Sequence, residues 1–171
     1  RSDTIHAAVA GSIRKCASYG KETPSIMIVI KRIYNWEMGH ALLKVGKEDK
    51  CYGPHGHNYR LIIEISDPEF TDRNLDPDTD MVINFHQLDI PIKELITDQY
   101  DHKFYANEDD DRFEVGPDVD NVIMQEGDPT AENLLLTLGF TIRKLMIISG
   151  LQLESVELFE TDKASAKIYY T

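Results

Sequence analysis

Three histidines carry the strongest chemical signal in the chain. His55 and His57 flank Gly56. In an extended segment side chains i and i+2 share a face, so two imidazoles at this spacing can grip one metal ion. Gly56 leaves room for the ion or for a ligand. His40 is the third candidate. Antiparallel pairing of the segments on either side of the 44–54 loop brings it close to the other two. Three imidazoles with an open fourth position describe a catalytic zinc site. The competing reading is a turn with two solvated histidines. His6 and His86 have no comparable partners and read as surface or packing residues.

Several titratable residues surround that set. Asp101 precedes His102, and a carboxylate that holds an imidazole's tautomer makes it a general acid or base near neutral pH. A polar loop after a helix accounts for the same pair. Glu37 stands three residues before His40, on the opposite strand face, so a bend is needed for both to serve one site. A carboxylate there can remove a proton; otherwise it is a surface glutamate. Cys51 lies four residues before His55, where a metal favours the thiolate, or else it fills a loop. Glu132 follows Thr130 in a helical first turn, where the helix dipole tolerates an acid in any case. Glu160 shares a strand face with Val156 and Leu158, so it points inward and needs donors. A ligand edge with two parallel N–H groups suits it, as does an internal arginine or loop backbone. Lys44, Lys47 and Lys50 crowd the loop between His40 and His55, where they can receive phosphate oxygens or simply be solvated.

Hydrophobic periodicity shows what must position these groups. Residues 1–24 have no sustained period and read as an N-terminal extension. Residues 25–34 are rich in Ile and Val and read as a strand. Alternation over 57–66, with Tyr59, Leu61, Ile63 and Ile65 on one side, predicts a half-buried second strand. A connection rich in Asp, Pro and Asn follows over 67–80. Leu88, Ile92, Leu95 and Ile96 recur at helical spacing within 87–100. The stretch 107–128 reads as an acidic surface loop or insertion. Asp128–Pro129 is a good helix start, and Ser149–Gly150 a good stop. The last two segments, 151–161 and 164–170, read as a hairpin about Asp162–Lys163. The order strand, strand, helix, helix, strand, strand predicts an α+β domain over 25–171, with one antiparallel sheet and two helices on one face. Its open edges call for pairing between subunits.

Composition narrows the function classes. Among 171 residues, 18 Lys and Arg against 30 Asp and Glu leave a formal net charge of −12. Such a surface repels nucleic acid and anionic membranes, so neither is expected as a main partner. A small anionic substrate in a locally basic pocket remains compatible with it. Cys16 and Cys51 make no CxxC pair and no disulfide framework. No apolar run is long enough to span a bilayer, and the first residues do not read as a signal peptide. A reducing cytoplasm is the expected compartment.

Six motifs in order now carry a resemblance: WEMGH (36–40), CYGPHGHNY (51–59), MVINF (81–85), YDHK (100–103), PTAEN (129–133) and FETD (159–162). Together they resemble the 6-pyruvoyltetrahydropterin synthase family. The resemblance implies the tunnelling fold (T-fold), with a four-stranded antiparallel sheet and two helices. It implies trimers that close a twelve-stranded barrel, two trimers stacked as a hexamer, and sites between subunits. It implies zinc on His40, His55 and His57, an acid–base pair in Asp101 and His102, and Glu160 as the anchor for the amino-pyrimidine edge of a pterin. Thr130 and Glu132 match a pocket-lining Thr-Thr-Glu segment in which Ala131 replaces the second threonine. Family members commonly carry serine where this chain has Glu37. The glutamate-bearing variant is proposed to cleave 7,8-dihydroneopterin triphosphate to 6-hydroxymethyl-7,8-dihydropterin for folate synthesis. The spacing of Cys51 matches the cysteine of queuosine-pathway members, so a 6-pyruvoyl- or 6-carboxy-tetrahydropterin-forming synthase is the alternative. A pterin-binding protein without turnover is a third reading, of another class.

Overall fold

The structure, a computed structural model, describes residues 27–68, 81–113 and 121–171. The N-terminal extension expected over 1–24, with His6 and Cys16, lies outside these residues, as does most of the 67–80 connection. Strand β1 (Ile30–His40) pairs antiparallel with β2 (His55–Ser66). β1 runs six residues past the predicted 25–34 segment and ends on His40 itself. Its extension alternates buried Trp36, Met38 and His40 with exposed Asn35 and Glu37. That alternation holds the strand on the sheet, because one face is covered and the other is not.

A helical stretch follows the described part of the connection. α1 (Phe85–Ile92) passes through one π-helical turn (Lys93–Thr97) into α2 (Asp98–Tyr100). Asn84 caps it by accepting from the His86 amide at 3.0 Å. Two short strands come next, β3 (Phe104–Asn107) and β4 (Val122–Gln125), then the long helix α3 (Ala131–Ile148). β5 (Gln152–Thr161) and β6 (Ala164–Tyr169) form the expected hairpin.

The sheet runs β4-β3-β1-β2-β5-β6. The four antiparallel strands match the expected sheet, but the described residues hold six strands rather than four. β3 joins β1 in parallel and β4 joins β3 in parallel. Four-residue strands are too short to show a period, and β4 is embedded in acidic residues, so local pattern reads it as loop. The "surface" stretch 107–128 is thus partly interior, with Asn107, Asp110 and Asp128 buried.

One sheet face packs on the helices. Trp36, Met38, Tyr59, Leu61, Ile63 and Ile65 meet Leu88, Ile92 and Ile96 from the first helical stretch and Leu134, Leu138 and Ile142 from α3. The other face carries a polar lattice. Glu64 on β2 accepts from Ser155 of β5 at 2.5 Å and pairs with Lys31 of β1 at 3.0 Å and Lys167 of β6 at 3.2 Å. No helix among the described residues is long and apolar enough to cross a membrane.

Candidate metal centre

The β1–β2 register sets His40 opposite His55 and Met38 opposite His57. Because i and i+2 share a face, all three imidazoles project to the helix side of the sheet. Their ring centroids lie 4.4, 5.1 and 5.0 Å apart. One ligand nitrogen from each falls within 4.8 Å of the others. The pairing predicted across the 44–54 loop is therefore what brings His40 to the other two.

The surroundings prepare these rings for a cation. His40 Nδ1 lies 2.7 Å from the Pro129 carbonyl, and His55 Nδ1 lies 2.8 Å from the Gly53 carbonyl. A carbonyl only accepts, so each Nδ1 carries the proton and each Nε2 keeps its lone pair. Among the described residues, both Nε2 atoms are buried without a hydrogen-bond partner. Buried polar atoms are rarely left so, and a divalent cation satisfies both. Burial also pushes the His40 and His57 imidazoles below the ordinary histidine value, which favours the neutral, ligating form. The residues fit a metal, and Glu160 Oε1 lies 3.4 Å from His40 Nε2. Tyr59 stacks on Trp36 beneath the cluster, and burial raises its phenol far above the usual value.

A cleft of about 640 Å³ opens beside the cluster. Glu37, His57, His102, Lys103 and Glu160 are among the residues lining it. Glu37 reaches it without the expected bend. It stays on the face away from the helices, opposite Asn58, and the cleft extends to the paired Gly39 and Gly56. A Cβ on Gly39 would lie 2.9 Å from the Phe104 ring, so glycine there lets that ring lie against the strand.

Asp101 and His102 are stitched to the same strand. The Glu37 amide donates to Asp101 Oδ1 at 3.1 Å, and the His102 amide donates to the Glu37 carbonyl at 2.7 Å. Those bonds place His102 in the left-handed region, at φ 58°. Its Nδ1 lies 3.0 Å from Asp101 Oδ1. The donated Glu37 amide, with the imidazole beside it, holds the Asp101 carboxyl below its ordinary range.

Other expected site residues fall elsewhere in this chain. Cys51 sits half-buried in a 3-10 turn (Lys50–Tyr52) and does not line the cleft. Burial, then Asp49, pushes its thiol up, away from the thiolate. Thr130 rather than Asp128 caps α3, accepting from the Asn133 amide at 3.3 Å. Glu132 is exposed on the first turn, outside the cleft. Lys44, Lys47 and Lys50 are exposed on their loop and also leave the cleft unlined, whereas Lys103 lines it.

The supporting residues Asp128, Asn107 and Arg112 were not legible as such. Their types are ordinary for loops and caps, and the bonds from Leu43 and Lys44 to Asp128 and from Arg112 to Tyr52 join segments remote in the chain.

A family model described as 6-pyruvoyl tetrahydropterin synthase matches residues 29–170. The chain belongs to that family. A 6-carboxy-5,6,7,8-tetrahydropterin synthase from Rickettsia typhi is 30% identical over 148 residues, which cover 83% of this chain and all of that one. One of the same name from Haemophilus influenzae is 33% identical over 86 residues, covering 50% of this chain and 57% of its own. Among solved structures, an uncharacterised protein from Wolinella succinogenes superposes with a TM-score of 0.70 at 21% identity, over 86% of this chain and 100% of that one. The 6-pyruvoyl tetrahydropterin synthase of Caenorhabditis elegans gives 0.58 at 21%, over 85% and 97%. These likenesses establish the T-fold of the family for the chain.

Proposed function

We propose that this chain is a zinc-dependent pterin synthase acting on 7,8-dihydroneopterin triphosphate. It cleaves the side chain to 6-hydroxymethyl-7,8-dihydropterin for folate biosynthesis, as a homohexamer in the cytoplasm. One observation carries the choice of reaction. Glu37 lies in one cleft with His57, His102 and Glu160, and Cys51 lies outside it.

A divalent cation on His40, His55 and His57 would supply Lewis acidity, lowering the pKa of side-chain hydroxyls brought to it. The chain's own residues do the rest. Glu160 accepts two parallel N–H groups from the amino-pyrimidine edge and fixes the ring, so that the side chain reaches the cleft floor. Glu37 takes the proton from the hydroxyl on the second side-chain carbon. That carbon becomes an aldehyde as its bond to the first carbon breaks. The electron pair passes to the first carbon, in conjugation with the ring. His102, held by Asp101, returns a proton there. The products are the hydroxymethyl pterin and a two-carbon aldehyde bearing the triphosphate. Lys103, at the cleft wall, is placed to receive phosphate oxygens. Thr130 and Glu132 take up their pocket-lining role only with a neighbouring subunit.

The names of the curated relatives favour a second reading, a 6-carboxy-tetrahydropterin synthase in which Cys51 serves. Incubation with dihydroneopterin triphosphate and mass identification of the pterin separates the two. Glu37→Gln should retain zinc and lose about 10²- to 10⁴-fold in turnover, the usual worth of a general base. Cys51→Ala should turn over at close to the wild-type rate. Full turnover in the Glu37 variant, or a carboxylated product, refutes the proposal.

A further inference from the structure

We propose that Asp128 and Arg112, on the described stretches either side of β4, are positioning residues that brace the histidine cluster. The inference rests on the metal-site reading above. Three imidazole lone pairs must aim at one point, and two of the rings are aimed by backbone carbonyls, those of Pro129 and Gly53. Whatever fixes those carbonyls relative to the strands fixes the ligands.

Asp128 does this beside His40. Its Oδ1 accepts from the Leu43 amide at 3.1 Å and from Asn107 Nδ2 at 2.8 Å, and its Oδ2 accepts from the Lys44 amide at 2.7 Å. One buried carboxylate therefore clamps the chain just beyond His40 to the residue just before Pro129. Asn107, fully buried at the end of β3, holds the carboxylate from behind. A buried acid without a guanidinium or ammonium partner is costly, and three donors converging on it show a built position rather than a solvated loop.

Arg112 does the same beside His55. Its Nη1 donates to the Tyr52 carbonyl at 2.7 Å, and its guanidinium lies 3.9 Å over the Tyr52 ring. Asp110 holds the fork, through Nε at 2.7 Å and Nη2 at 2.5 Å. Tyr52 leads directly into Gly53. The Leu42 amide donates to the Cys51 carbonyl at 2.9 Å, joining the two ends of the loop. The two ends of the 41–54 loop are thus anchored to Asp128 and Arg112, one end per ligand.

The test uses the full chain, stripped of metal and titrated with zinc alone against a chromophoric chelator. Wild type should bind one zinc per chain and His40→Ala none, which checks the underlying reading separately. Asp128→Ala should bind zinc about tenfold more weakly, in the range found when outer partners of metal ligands are removed. Arg112→Lys keeps a charge beside Asp110 but cannot hold the fork, the carbonyl and the ring together, and should weaken binding severalfold. Asp111→Asn, on the exposed side of the same segment, should bind as wild type. A residue that only stabilised the fold would lower the melting temperature of the zinc-free protein and leave zinc affinity, read well below that temperature, unchanged. Wild-type affinity in folded Asp128→Ala and Arg112→Lys overturns the brace. If the alanine variant fails to fold, the lysine variant decides.

Discussion

Replacing Arg112 with Met strands a carboxylate in the interior. The Asp110 side chain has 0% exposure and that of Arg112 24%. In the intact protein the guanidinium holds the Asp110 carboxyl below its ordinary value. A group depressed in this way stabilises the fold above its unfolded pKa, and the gain is lost as pH falls through the folded value. In Arg112→Met, among the described residues, only the backbone amide of residue 112, 3.2 Å from Oδ1, remains as a donor. Breaking a buried pair from one side typically costs about 3–5 kcal/mol. Here the loss has a ceiling, because the stranded carboxyl can take a proton instead. At about 1.36 kcal/mol per pH unit above an ordinary pKa near 3.9, that escape costs ~4 kcal/mol at pH 7 and ~1.5 kcal/mol at pH 5. The lost Tyr52 hydrogen bond adds about 1 kcal/mol at either pH. The variant's carboxyl now has a raised folded pKa, so its contribution runs the other way, present at low pH and lost as pH rises. Urea unfolding at one protein concentration should therefore show a loss of about 5 kcal/mol at pH 7 that shrinks to about 2–3 kcal/mol at pH 5. The double variant Asp110→Asn/Arg112→Met should recover most of the pH 7 loss. An equal loss at both pH values, or a double variant as unstable as the single one, refutes the reasoning.

Glu160→Gln should raise KM by about ten- to a hundredfold with a smaller fall in kcat, because a charge-assisted bond to the ring edge is lost; steady-state kinetics that show the reverse split would move Glu160 from binding to chemistry. Glu64, held near pKa 2 by Ser155, Lys31 and Lys167, contributes stability that is present above the ordinary glutamate value and lost as pH falls toward 2. Glu64→Gln should cost roughly 1–2 kcal/mol at pH 7, discounted for partial exposure, and flatten the acid limb of the urea midpoint between pH 4 and pH 2. Gly139→Ala brings a Cβ against the Tyr170 hydroxyl, so it should gain less than the ~1 kcal/mol of helix propensity. Adding Tyr170→Phe removes the clashing oxygen, and the double variant should melt above the single one.

The legible features are those whose signal is local. His55 and His57 share a face by the two-residue period of any strand. Tyr59, Leu61, Ile63 and Ile65 mark the buried side by the same rule, and helical spacing reveals both long helical stretches. His40 is legible through topology, since two strands joined by a short loop pair antiparallel. Glu160 is legible as an inward acid, and the structure sets it beside His40 rather than beside an arginine.

The illegible features depend on which remote backbone arrives. Asp128 looks like a helix cap by sequence, and Thr130 has the same chemistry two residues later. Only the approach of Leu43 and Lys44 decides that Asp128 serves the loop and Thr130 the helix. β3 and β4 carry too few residues for a period, and their parallel pairing is imposed by the free edge of β1. Glu37 and Cys51 are both plausible bases in one dimension. In the structure Glu37 lines the cleft, and Cys51, in the turn over Lys50–Tyr52, does not. Side-chain periodicity and the pairing of neighbouring strands thus determined the faces, the three clustered histidines and the strands that bear them. Tertiary structure decided what each buried polar atom bonds to, because a hydrogen bond needs a partner within about 3 Å, and sequence distance carries no information about that.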